Sequence, residues 1–421
     1  MTLDARHTVT LLIVISIGLT ALDIPPDSRL TTAGLSLASG VAALSLMACS
    51  ALLGSRWTWL EDLFGGLDRV YRVHKWLGVW ALVLASVHLA FKAGAPGWDV
   101  AAILPLPAGT TRLLRQLAFL GLMLTLLLAL NRAIPYATWR WWHRLSGPIL
   151  LIVVVHWLSI RSPIALLSPA GVWLAALSTL GVAGAAWKLL LYPWLSSHAA
   201  YRIVAVAPGP GAVRLELLPT GKPLKFGPGQ FGFLGLQAEG LRAPHPFTLA
   251  GAPDAAGRVV FMIRALGEHT RRLVDRAAVG MHAVVHGPFG RFKRRTDSAG
   301  EIWIAGGVGI SPFLAWLDDP HANGLERVQL FYFYTPGRGF PEPDALAKLA
   351  AERKVALHCQ SAGPADPAFI RALEACVRRI GADQVDVDIC GPPGLLQACC
   401  KALHACGVGE ARIRHELFEF R

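Results

Sequence analysis

Apolar residues along this chain are distributed very unevenly. Long hydrophobic runs fill the first half, at roughly 8–24, 31–54, 73–93, 112–130, 141–160 and 171–192. Each approaches the length of about 20 residues that a helix needs to cross a bilayer, the first being the shortest. The pattern predicts six transmembrane helices. After Tyr192-Pro193 the texture changes to short alternating runs. Tyr201–Val206, Ala212–Leu218, Phe231–Leu236, Val259–Ile263 and His282–His286 read as strands between Gly and Pro turns, which suits a small antiparallel barrel. From Glu301 strands alternate with helical stretches: Ile302–Ala305, a helix from Pro312, Val328–Tyr334, Ala345–Arg353, Val355–Gln360, Ala368–Ile380, Val385–Cys390 and Leu395–Cys406. That alternation implies an α/β unit with a mostly parallel sheet. The expected division is 1–195 in the membrane, 196–297 as barrel and 298–421 as α/β domain, with neither internal repeat nor low-complexity tract.

Composition fits this split. Of 421 residues 53% are hydrophobic, and mean hydropathy is +0.45. The net charge of +12 does not point to nucleic acid, because no block of five or more like charges occurs. The basic residues collect instead at helix ends. Arg6, Arg56, Arg69, Arg72, Lys75, Arg132, Arg140, Arg144 and Lys188 fall on one face, against Arg29, Lys92, Arg112, Arg115 and Arg161 on the other. The excess places both termini in the cytoplasm of a cell (inner) membrane protein. The first apolar run lacks a small-residue cleavage site before Pro25-Pro26 and reads as a retained helix. Seven cysteines, six in the second half, show no zinc spacing and suit a reduced compartment.

Four histidines carry the first chemical signal. His74 and His88 stand 14 residues apart on the third span, and His143 and His156 stand 13 apart on the fifth. At 1.5 Å per residue either pair is separated by roughly 20 Å. The two spans run in the same direction, so His74 meets the level of His143, and His88 that of His156. Each level offers two imidazoles to one iron, and two such levels suit two stacked b-type haems. A packing or proton-relay histidine is the ordinary alternative for one such residue, but four at matched depths are costly to bury without a purpose. Fourteen residues return to within about 40° of the same helix face, whereas thirteen miss it by about 140°. The fifth span therefore needs a kink or overwinding, and Gly147-Pro148 lies where one could form. Arg72, Lys75, Arg140 and Arg144 flank the inner level, and Lys92 and Arg161 the outer; each is either a partner for an anion or an ordinary interfacial cation.

The soluble half adds short motifs in a fixed order. His245-Pro246-Phe247-Thr248 follows Gly-Pro-Gly-Gln-Phe at 227–231. Gly267 and Thr270 open a helix, where free N–H groups favour phosphate, although turn and cap duty would account for both. Gly306-Gly307-Val308-Gly309-Ile310-Ser311-Pro312 follows a strand and opens another helix, and Cys390-Gly391-Pro392-Pro393 ends a later strand. With the histidine spacings, these motifs resemble the NADPH oxidase and ferric reductase branch of the ferredoxin-NADP reductase superfamily, in its compact prokaryotic form. The resemblance implies that His245, Pro246, Phe247 and Thr248 run along FAD, with Gly267 and Thr270 at its pyrophosphate. It implies NAD(P)H on Gly306, Gly307, Gly309, Ser311, Gly391 and Pro392, with Cys390 near the hydride path. Phe418, or alternatively Phe420, would cover the flavin. Thr335 and Arg338 are candidates for a 2′-phosphate, a lean toward NADPH.

Function follows as an expectation: electrons pass from cytosolic NAD(P)H through FAD and two haems to an acceptor across the membrane. The short outer loops lack carboxylate clusters, which favours dioxygen over a ferric chelate. A flavin-free haem anchor of a quinone-linked complex is the alternative from another class. Membrane lipid is the expected surrounding, no accessory subunit is evident, and no calcium-binding extension precedes the first span.

Overall fold

The computed structural model describes residues 3–131 and 133–416. It divides into two compact units, Met1–Leu195 and Ser196–Arg421.

The first unit is helical. In chain order its helices are α1 (Ala5–Asp23), α2 (Thr32–Leu53), α3 (Thr58–Phe64), α4 (Leu67–Ala90), α5 (Ala108–Leu130), α6 (Tyr136–His143), α7 (Ser146–Ser159), α8 (Pro169–Ala186) and α9 (Tyr192–Leu195). Five are long and apolar enough to cross a membrane: α1, α2, α4, α5, and α8 with its π-helical extension to Leu191. The predicted six-helix bundle is thus met by five such helices. The run at 141–160 is split. The N–H groups of Arg144 and Leu145 bond the carbonyls of Trp141 and Trp142, three residues back, at 3.2 and 3.0 Å. Pro148 has no N–H to give the Arg144 carbonyl, so the ordinary ladder stops there and the chain overwinds. The remaining α7 has 14 residues, roughly 21 Å of helix.

Two-thirds (67%) of the α2 window is buried inside the unit, against 17–22% for the other four spans. Helix α2 is therefore the central post, and small residues permit it. A Cβ on Gly181 of α8 would come within 2.8 Å of the Ala48 backbone, the close approach that glycines allow between membrane helices. Leu11, Val14, Leu120, Leu124 and Leu127 stay exposed, as a lipid-facing surface requires. Asp23, ending α1, accepts from the Ser168 hydroxyl at 2.6 Å and the Ala170 N–H at 3.0 Å. One carboxylate thus ties the end of α1 to the first turn of α8.

The second unit starts with six antiparallel strands: β1 (His198–Gly209), β2 (Ala212–Pro219), β3 (Phe231–Leu236), β4 (His245–Thr248), β5 (Val259–Arg264) and β6 (His282–Phe289). Their order is β4-β3-β6-β1-β2-β5, and a bridge from Leu249 to Phe261 draws the edges into a nearly closed barrel. Helix α10 (Glu268–Arg276) connects β5 to β6. Next come β7 (Gly300–Gly306), α11 (Ser311–Asp318), β8 (Val328–Phe333), α12 (Pro343–Glu352), β9 (Ala356–Gln360), α13 (Pro367–Ile380), β10 (Val385–Cys390), α14 (Pro393–Ala405) and β11 (Ile413–Glu416). The five strands form a parallel sheet in the order β11-β10-β7-β8-β9. Its central strands are buried on both faces. Two short strands lie outside the sequence reading: β4, which the tetrapeptide itself forms, and the edge strand β11.

Candidate functional site

Helices α2 and α4 lie antiparallel, and their polar groups meet at two levels. His74 Nδ1 lies 2.7 Å from the Ser50 carbonyl oxygen, while the Ser50 hydroxyl donates to the His74 carbonyl at 3.2 Å. Fourteen residues away the arrangement recurs. His88 Nδ1 lies 2.9 Å from the Ser36 carbonyl, and the Ser36 hydroxyl donates to the carbonyls of His88 and Phe91 at 3.0 and 2.8 Å. A carbonyl only accepts, so both Nδ1 atoms carry the proton and both Nε2 atoms present a lone pair.

The other two histidines sit on either side of the break. His143 ends α6, its ring 5.8 Å from that of His74 and nearly perpendicular at 85°. Trp139 stacks on it at 5.2 Å. His156 lies in the last turn of α7, within electrostatic reach of His88 and of Arg115 on α5. The Nδ1 atoms of His143 and His156 are buried and find no hydrogen-bond partner among the described residues. Arg115 thus adds a cation within electrostatic reach of His156, and Arg161 donates to the Val100 carbonyl. Sequence reasoning passed over Arg115 because it lies at the start of a span and reads as an interfacial flank. Among the described residues no three His, Cys, Asp or Glu side chains gather to hold a metal ion; the histidines come in pairs.

In the second unit, His245, Pro246, Phe247 and Thr248 form β4, with Thr248 opposite Phe231 of β3. The His245 ring stacks on His269 at 3.6 Å, which brings the tetrapeptide against the start of α10. There Thr270 Oγ1 accepts from the N–H groups of Leu266 and Gly267 at 3.0 and 2.9 Å, so the threonine caps its own turn. No described atom lies within 4 Å of the Cβ position of Gly267, which faces open space. Thr248 is buried, and its hydroxyl finds no partner among the described residues.

At the carboxyl edge of the parallel sheet, the loops after β7 and β10 pack together. A Cβ on Gly309 would collide with the Cys390 carbonyl, and one on Gly306 would lie 2.7 Å from Leu395 and 2.9 Å from Pro392. Gly391 is pressed against Gly306 in turn, and Ser311 donates to the Val308 carbonyl at 2.7 Å. Chain packing therefore occupies Gly306, Gly309, Gly391 and Ser311. Gly307 differs, with φ of +56° and open space at its Cβ position. Cys390 is buried between Ala305 and Glu416, its partners on β7 and β11. Burial, and then the Glu416 carboxylate, push its thiol well above the ordinary range, so it stays protonated. Glu416 also reaches toward the barrel: its Oε1 lies 3.6 Å from the Cβ position of Gly290, beside Phe231. Sequence reasoning missed Glu416 because it sits on the unrecognised edge strand. Thr335 and Arg338 share an exposed turn after β8, where Arg264 donates to the Arg338 carbonyl at 2.8 Å. Phe418 and Phe420 lie outside the described residues.

Residues 39–154 match the family described as the ferric reductase like transmembrane component. The chain is 36% identical over 180 residues to the ferredoxin–NAD(+) reductase component of an alkene monooxygenase system from Xanthobacter autotrophicus, covering 42% of this chain and 54% of that protein. The chain is thus similar to a ferric reductase-like transmembrane component over one stretch and to a ferredoxin–NAD(+) reductase component over another. The chain is also 29% identical over 204 residues to the toluate 1,2-dioxygenase electron transfer component of Pseudomonas putida, with coverage of 46% and 59%. It thus spans little more than half the length of these curated relatives. A flavohemoglobin from Malassezia yamatoensis, solved with FAD and haem, aligns over 96% of this chain and 99% of its own at a TM-score of 0.51 and 15% identity, a likeness of fold.

Proposed function

We propose that this protein is an NAD(P)H-dependent oxidoreductase of the cell membrane that sends electrons across the bilayer to dioxygen, forming superoxide. The observation carrying the reading is the paired histidines. Two imidazoles sharing one metal ion, with metal–nitrogen bonds of about 2 Å, hold their ring centres roughly 6 Å apart; His74 and His143 lie at 5.8 Å. That level fits one b-type haem, and His88 and His156 at the other level are read as the ligands of a second. Ser50 and Ser36 hold the proton of one ligand on Nδ1, which leaves Nε2 for iron.

In the second unit, residues 196–297 are read as the FAD part and 298–421 as the NAD(P)H part. FAD held there would supply hydride acceptance from the nicotinamide and one-electron release toward the histidine levels. The unpartnered Thr248 hydroxyl fits a hydrogen bond to the flavin ring, and the open backbone at Gly267 fits its pyrophosphate. Gly307 is the glycine open to the dinucleotide. Cys390 flanks the nicotinamide as a neutral, proton-bearing thiol, and Glu416 stands beside it. In this reading α6 and α7 together make the sixth crossing, which leaves both termini on the cytoplasmic side.

Purified protein is expected to carry two haems and one FAD per chain, by pyridine hemochromogen and flavin absorbance. NAD(P)H should drive cytochrome c reduction that superoxide dismutase abolishes. Dismutase-insensitive reduction that ferric chelates compete away would make the acceptor ferric iron, and absence of haem would end the reading.

A further inference from the structure

We infer that α2 is a two-site histidine clamp, in which Ser36 with Gly40 positions His88, and Ser50 with Gly54 positions His74. The inference rests on the reading of these histidines as haem ligands. Each unit is Ser-x-x-x-Gly, and the two units stand 14 residues apart, the spacing of the histidines they face. The geometry explains both residue types. In a helix the carbonyl of one residue points toward the residue four positions on, and a side chain there leans back over that carbonyl. Glycine at the fourth position leaves the carbonyl open on one flank. The Ser50 carbonyl accepts from the Gly54 N–H at 3.0 Å and from His74 Nδ1–H at 2.7 Å. It spends its second lone pair on the imidazole.

The serine hydroxyls supply the second prong. Each donates to the backbone carbonyl of its own histidine, fixing the turn of α4 that carries the ring. The two prongs hold both the ring's azimuth and its depth. They serve only the α4 histidines, since the Nδ1 atoms of His143 and His156 find no partner among the described residues. A carbonyl that accepts from Nδ1–H makes the imidazole a stronger donor to iron and holds the potential of that haem down.

The two sites differ in tolerance. A Cβ on Gly40 would stand 2.8 Å from His88 Nδ1 and 3.0 Å from its Cε1, so alanine there must displace the ring. A Cβ on Gly54 would stand 3.8 Å from His74 Cε1 and 3.3 Å from the Ala51 carbonyl, so alanine there crowds the ring less than at Gly40. Gly18 of α1 has open space and serves as control.

The test uses the full-length protein, with haem stoichiometry and redox titration of the two haems. Gly40→Ala should lose one haem of two, or keep it with one midpoint shifted positive. Gly54→Ala should shift the other midpoint by less, and Gly18→Ala should match wild type. Ser36→Ala should shift the midpoint that Gly40→Ala affects, and Ser50→Ala the other one. Two haems with unchanged midpoints in Gly40→Ala, the same loss in Gly18→Ala, or one midpoint moved by both serine variants would overturn the clamp. Wild-type protein without haem would instead remove the reading beneath it.

Discussion

At the scale of single residues, burial decides which charges and protons the second unit can hold. Asp388 on β10 is fully buried opposite Arg414 of β11, with 2.7 Å between them. Burial pushes its carboxyl up to about 7, and Arg414 offsets only part of that cost. The folded state therefore binds this proton more tightly than the unfolded chain, whose aspartate titrates near 4. With the folded value raised, the stabilising share is complete below about pH 4, lost as pH rises toward 7, and flat above. Asp388→Asn removes the titration. Unfolding midpoints measured from pH 5 to 8 should show wild type losing ground to the variant, by at most about 1.4 kcal/mol per pH unit, until about pH 7. A gap that stays constant, or widens in favour of wild type, would contradict this. Cys390 obeys the same logic two residues on, where burial and Glu416 keep a neutral thiol at the sheet edge.

At the scale of elements, the break between α6 and α7 is the feature with most consequence. Thirteen residues of uninterrupted helix would leave His143 and His156 on faces about 140° apart. The tighter turn at Arg144 and Leu145 supplies rotation in the needed direction, since it winds about 120° per residue instead of 100°. Pro148→Ala restores an N–H to the Arg144 carbonyl and lets α6 run into α7. That variant should retain about one haem of two, measured per chain, with FAD content unchanged; full retention would show that Pro148 does not set the phase. The need for a break was legible because phase arithmetic uses only spacing. Its exact place was not, since hydropathy averages over a window and two shifted hydrogen bonds do not change it. Strands β4 and β11 were missed because four residues are too few to show alternation. The serines and glycines of α2 were hidden for another reason. Small residues in an apolar run look like packing, and the chain seemed free of repeats until α4 was laid beside α2.

For the whole molecule, the question is on which side each half of the reaction occurs. In our reading, nine basic flanking residues against five set the polarity, and six crossings return the chain to its starting side. The proposed donor is a large anionic dinucleotide, which does not cross lipid. Its binding sheet must therefore face the compartment that supplies it. The outer histidines, with Arg115 near His156, then face the other compartment, where a cation would favour a reduced, anionic product. In inverted membrane vesicles the second unit should point outward. NAD(P)H added outside should be consumed there, and a superoxide trap sealed in the lumen should respond at least several-fold more than an equal trap outside. Protease should remove the second unit from inverted vesicles and spare it in right-side-out ones. Consumption and trapping on one face would mean that electrons do not cross. The two histidine levels, roughly 20 Å apart along α4, would then have to serve some purpose other than transmembrane transfer.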